Sequence, residues 1–287
     1  NFYQNVGYPI SLARGAYWLG AAYKEIGNKE IAKKYFTEGA QFPMTYYGQL
    51  SFNEINPGQN FELVDQSSFN KEYEKEFRKN RLINHVILLK ELDSTKYAKD
   101  ILKHLANLDI EKGSEVLAAK LSTDVGRYDF AIQISKQASY EKRFYNKYNY
   151  PIIATPKEIN NKVMPNSEVV LAIIRQESEF DARANSWAGA RGMMQLMKYT
   201  AKIVAKQAKL PYSISRLTRD PEYNIKLGTY YFDSLIKDYN GVYPFAIAAY
   251  NAGPNRVKTW RRVNGDPSKG KLSYVNWIEL IRFKETR

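Results

Sequence analysis

Glu177 closes the segment Val169-Val170-Leu171-Ala172-Ile173-Ile174-Arg175-Gln176-Glu177. Apolar residues at 169, 170, 173 and 174 have the spacing of one face of an α-helix. Glu177 falls four residues after Ile173 and seven after Val170, on that same face. A carboxylate there loses hydration and its pKa rises. An acid that stays protonated near neutral pH can act as a general acid. The same spacing also suits a helix-end glutamate that turns to solvent or pairs with a nearby arginine. Downstream, Gly189 and Gly192 permit tight turns and close approach of backbone to a ligand. The apolar turn Met193-Met194-Gln195-Leu196-Met197 carries one amide, and Tyr250 and Asn251 precede a Gly253-Pro254 break. An acid beside a glycine-rich turn, with amide and phenol donors, suits a polar neutral ligand such as a sugar.

Other chemistries find little support. The chain of 287 residues has no cysteine, so it has no disulfide, thiol nucleophile or zinc–cysteine site. Its two histidines, His85 and His104, stand apart from any ligand-like cluster, which argues against a Ser-His-Asp triad or a His-rich metal site. Neither a metal nor a cofactor is expected. The balance of 43 Lys+Arg against 30 Asp+Glu gives +13, a surface that attracts polyanions. The basic residues are scattered and no nucleic-acid motif appears, so nucleic acid is not the expected partner. No apolar run approaches the roughly 18 residues that span a membrane, and no membrane insertion is expected.

The elements that position these residues are helical throughout. Leu19, Gly20, Tyr23, Ala32 and Phe36 occupy the positions of a helix-turn-helix repeat of about 34 residues, with Gly27-Asn28 as its turn. A weaker copy runs from Gly113 to Gln137, with Gly126-Arg127-Tyr128 as the turn and Ala131 and Ala138 as small packing positions. Residues 54–70 read as irregular, and 71–90 and 97–108 as helical. Proline-broken sequence over 145–156 marks a domain boundary. The expected domains are therefore 1–150, a helical superhelix and linker, and 151–287, also mainly α. In the second, Asn166 or Ser167 is placed to cap the Glu177 helix. Further helices are expected over 200–208, 221–238 and 242–250, and no convincing strand run is present.

The blocks Ala172–Phe180, Ser186–Met197 and Ala249–Pro254, with the tail Trp277–Arg287, together resemble the soluble lytic transglycosylases. The resemblance covers residues 157–287 closely and 1–150 more loosely. It implies an all-α chain in which a helical-repeat superhelix and linker precede a goose-type lysozyme-like catalytic domain. Members of that family usually carry a longer superhelix, so further helices are expected before residue 1. The resemblance implies peptidoglycan glycan strands as substrate and a periplasmic address. It implies cleavage of the β-1,4 bond between N-acetylmuramic acid and N-acetylglucosamine to leave 1,6-anhydro ends. It places Glu177 as the catalytic acid, then base. It places Ser186, Gln195, Met197, Tyr250 and Asn251 along the glycan groove and Glu285 as the acid of the tail, with Glu279 close by. A monomer is expected. Lys198 departs from the family, which often has proline there. No second carboxylate stands out in the matched blocks, since Glu179 is off the Glu177 face and Asp181 lies past the expected helix end. A hydrolase on the same fold and a non-catalytic helical binding scaffold remain the alternatives.

Overall fold

Small residues decide how the first helices meet. α1 (Pro9–Glu25) and α2 (Lys29–Ala40) flank Gly27, whose φ of 82° turns the chain, and Asn28 caps α2 by accepting from the Ile31 N–H at 3.2 Å. Gly20 lies so close to Phe36 that an added Cβ would stand 2.7 Å from its ring. Both residues are among the positions read as the helix-turn-helix repeat. Thr45 caps α3 (Tyr46–Ile55), accepting from Gly48 N–H at 3.0 Å.

The computed structural model describes residues 5–287, in two compact units, the first ending at Pro151 and the second running Ile152–Arg287. In the first unit, irregular chain leads from α3 to α4 (Lys71–Phe77) and α5 (Arg81–Glu91). The run expected over 71–90 is thus two helices. Asn80 takes the Leu82 N–H at 3.0 Å, and this side-chain cap starts a new helix. A 3₁₀ turn at Thr95–Ala98 introduces α6 (Lys99–Ala106), followed by α7 (Ser114–Asp124), α8 (Tyr128–Tyr140) and the short α9 (Asn146–Asn149). Gly126 turns α7 into α8 with φ 78°, and Ala131 and Ala138 are fully buried.

The second unit opens with a two-residue hairpin, β1 (Glu158–Ile159) and β2 (Lys162–Val163). Asn160 and Asn161 turn it at φ 51° and 59°, as a primed turn requires. Strands this short have no alternation for the sequence to display. The helices are α10 (Ser167–Ser178), α11 (Lys198–Gln207), α12 (Arg216–Arg219), α13 (Pro221–Asp238), α14 (Tyr243–Ala252), α15 (Pro254–Val263) and α16 (Tyr274–Glu279). α10 starts after Asn166, but neither candidate cap makes the capping bond. The Asn166 side chain makes none, and the Ser167 hydroxyl meets Thr155 Oγ1 at 2.7 Å. α13 is the core helix, with Leu227 and Phe232 fully buried, and Trp277 of α16 meets Phe245 of α14 edge-on at 4.9 Å. Among the described residues, no helix is long and apolar enough to cross a membrane.

Candidate active site

α10 stops at Ser178 because the next two residues leave helical space: Glu179 and Phe180 have φ of 50° and 67°. Left-handed conformations cost non-glycine residues roughly 1–2 kcal/mol each. Gln195 adds a third at φ 45°. Asp181 lies beyond the helix end, its Oδ1 accepting from Arg183 N–H at 2.9 Å.

Between α10 and α11 the chain folds back on itself. Gly192 N–H donates to Ala184 O (2.8 Å), Ser186 N–H to Ala190 O (2.9 Å), and Arg191 and Leu196 exchange two bonds of 3.1 Å. Gly192 is required here, since at φ 75° an added Cβ would stand 2.0 Å from Leu217 O. Two of the expected ligand-contacting side chains brace this loop. Ser186 Oγ accepts from Ala190 N–H at 2.9 Å, and Gln195 Nε2 donates to Gly192 O at 2.8 Å. Met197 stands immediately before α11 with an exposed side chain, and Trp187 at the loop tip is fully exposed.

Three helices fasten the loop. From α10, Ser178 Oγ donates to Met193 O at 2.8 Å. From α14, Tyr250 Oη donates to Met194 O at 2.7 Å, its ring packed on Tyr231 and Phe232 of α13. From α13, Asn224 is 0% exposed and makes three bonds: Oδ1 accepts from Met194 N–H (2.8 Å), and Nδ2 donates to Arg191 O (2.9 Å) and Leu217 O (3.0 Å). Gly228, one turn on, leaves room for the Met194 side chain, whose Sδ would stand 2.3 Å from an added Cβ. Sequence reasoning passed over Asn224. Its signal is an asparagine on the apolar stripe of α13, in line with Leu227 and Tyr231.

Glu177 sits at the centre. Its carboxyl is pushed up to about 7, first by burial and second by the charge of Glu285, while a hydrogen bond from Asn251 pulls it down. Of the tail, Glu285 is the acid whose charge raises the Glu177 carboxyl. Thr286 Oγ1 donates to Asn251 Oδ1 at 2.5 Å. This second unpredicted contact engages the amide oxygen, so the Asn251 NH₂ group faces Glu177. Tyr250 is raised well above 10 by burial and by Glu177. The structure therefore gathers Glu177, Tyr250, Asn251 and Glu285 into one cluster, with Ser186 and Gln195 in the adjoining loop. No group of three metal-ligating side chains converges among the described residues.

Residues 155–273 match the family described as the transglycosylase SLT domain. Over 148 residues the chain is 38% identical to the soluble lytic murein transglycosylase of Escherichia coli K12, covering 51% of this chain and 22% of that protein. It is 42% identical over 121 residues to a putative soluble lytic murein transglycosylase of Haemophilus influenzae, covering 41% and 19%. The crystal structure of the 70 kDa soluble lytic transglycosylase of E. coli superposes with TM-score 0.76 at 25% identity, covering 96% of this chain and 43% of that one. An inactive mutant of lytic transglycosylase Slt from Pseudomonas aeruginosa gives 0.75 at 26%, covering 96% and 44%. The chain thus spans about a fifth of the length of the first curated relatives it matches. Residues 155–273 form a transglycosylase SLT domain with a lysozyme-like helical fold, in a chain similar to the soluble lytic murein transglycosylases.

Proposed function

We propose that the chain is a peptidoglycan lytic transglycosylase with Glu177 as its single acid and base. The observation that carries this reading is the Glu177 carboxyl held near 7 within an SLT domain. A group with that pKa is substantially protonated at neutral pH and also stable as the anion, as a residue that gives and then takes a proton must be. In the first step Glu177 donates to the glycosidic oxygen between N-acetylmuramic acid and N-acetylglucosamine while the C1–O bond breaks. In the second, the Glu177 carboxylate takes the proton of the muramic acid C6 hydroxyl as that oxygen bonds to C1. The product is a 1,6-anhydro ring, Glu177 is protonated again, and no water is consumed.

The neighbours have parts in this sequence. The Asn251 NH₂ group stabilises the carboxylate formed after donation, and Thr286 keeps that amide the right way round. Tyr250 stays neutral and holds the loop through Met194 O. Met197 is open to a glycan strand, and Ser186 and Gln195 shape the wall beside it. Glycosidases that activate water or form a covalent intermediate place two carboxylates across the scissile bond. Here Glu285 raises the Glu177 pKa, which favours the acid form.

A substrate outside the cytoplasmic membrane places the protein in the periplasm. Digestion of purified sacculi followed by mass spectrometry tests the reading. Muropeptide ends one water lighter than reducing ends are expected. Reducing ends would make the chain a hydrolase, and no release at all would make it a binding scaffold.

A further inference from the structure

The first unit contains a cavity of about 620 Å³ between α6 and α8. Its size suits a small ligand. The floor is apolar, built from Leu102 and Ala106 of α6 and Phe130 of α8, all buried. Its two carboxylates are already engaged: Glu115, 6% exposed, takes Arg143 at 2.9 and 3.0 Å, and Glu141 takes the same guanidinium at 2.8 Å. Tyr145 Oη adds a bond of 3.0 Å to Glu115. Lys99 and Lys103 line the cavity one turn apart on α6, and neither has a carboxylate partner among the described residues. Gln137 offers an uncommitted amide from the α8 side. The free functionality is therefore two cations and one amide above an apolar floor.

A second cavity of about 650 Å³ shares Ile110 and Arg143 with the first and reaches Gln66 and Asn70. Two adjoining cavities with lining residues in common offer successive footholds to an extended chain rather than one enclosure for a compact molecule. Unspent positive charge over an apolar floor selects a ligand that combines carboxylates with apolar groups.

We propose that this cavity pair binds a short acidic peptide, its carboxylates at Lys99 and Lys103. Resting on the function proposed above, that peptide is the peptide stem of peptidoglycan, which carries free carboxylates. The site would recognise peptide, leaving the glycan to the second unit.

Isothermal titration of the whole chain with stem peptide freed by an amidase tests this. Saturable binding is expected. It should weaken about tenfold in K99Q/K103Q, as expected for two partly exposed charge contacts. Gln137→Trp, which fills the cavity from the other wall, should also weaken it, and the peptide with amidated carboxylates should not bind. E177Q should bind as wild type does, and K99Q/K103Q should still cleave peptide-free glycan at the wild-type rate. Equal affinity in wild type and K99Q/K103Q, or no binding at millimolar peptide, overturns the proposal. So does tighter, Lys99/Lys103-dependent binding of a single-stranded oligonucleotide. Peptide binding without anhydro products would instead overturn the lytic reading and leave this site standing.

Discussion

At the scale of single residues, the chemistry depends on how far Glu177 is driven from an ordinary carboxyl. Its folded value near 7 lies above the usual 4.5. Between those values the native state holds a proton that the unfolded chain has lost, so stability falls as pH rises through about 7. The cost of the buried anion is at most about 3 kcal/mol above pH 7. E177Q has no anion to bury. It should unfold at higher urea than wild type above pH 7, with the difference fading below pH 4.5. The same variant should lose about 10²–10⁴-fold in cleavage, the range for a general acid. More than a few per cent of wild-type turnover would remove Glu177 from the acid role. The neighbours should move the alkaline limb of the rate profile in opposite directions. Glu285→Gln removes a raising charge and shifts the limb to lower pH. Asn251→Ala removes a lowering hydrogen bond and shifts it to higher pH. Thr286→Val should follow Asn251→Ala and Thr286→Ser should restore the wild-type profile, because Ser keeps the hydroxyl that orients the amide. A Thr286→Val profile that does not move would reduce Thr286 to packing. The position of Glu177 was legible because helical spacing alone puts it on the apolar face. Thr286 was not, because its partner lies 35 residues away and only the folded chain brings the two together.

At the scale of elements, the site is a loop fastened from three helices, and α13 supplies the deepest fastening. Asn224, fully buried, satisfies one backbone donor and two backbone acceptors. Each group left unpaired by its removal costs about 1–3 kcal/mol. Asn224→Leu should therefore lower the unfolding midpoint and depress cleavage well beyond what reduced folded fraction explains. Asn224→Asp should be milder only where its acid is protonated. Gly192→Ala faces both a positive φ and a carbonyl 2.0 Å from the new Cβ, so it should destabilise more than an ordinary surface glycine substitution. Circular dichroism melts paired with initial rates separate the two effects. Elements with strong local punctuation were legible: α13 begins at Pro221 under an Asp220 cap that takes Tyr223 N–H at 3.0 Å, and its span was expected residue for residue. Elements defined by competition were not. The 71–90 run divides because the Asn80 side chain outbids the helix for the Leu82 N–H, and periodicity cannot register that. Ser186 and Gln195 were legible as members of the loop, but their use as braces depends on the backbone conformation that Gly192 allows.

At the scale of the whole molecule, the net charge of +13 bears on how the chain would meet the polymer proposed as its substrate. A carboxylate-bearing wall is a polyanion, and a protein of this charge should concentrate on it through long-range attraction rather than through the groove alone. That attraction is screened: the Debye length shrinks from about 10 Å at 0.1 M to about 3 Å at 1 M salt. Buried contacts around Glu177 are screened much less. Raising salt over that range should therefore weaken retention of E177Q on intact sacculi, measured by co-sedimentation. Wild-type cleavage of short, peptide-free glycan fragments should change far less. Salt-insensitive sedimentation would mean that the groove, not the surface charge, holds the protein to the wall. Equal salt loss in both assays would mean that charge acts on the fragment step as well, and would place cations from the surface inside the groove. The total charge was plain in the composition, whereas its division between surface attraction and the two cations of the first-unit cavity depends on which lysines the fold leaves without a carboxylate.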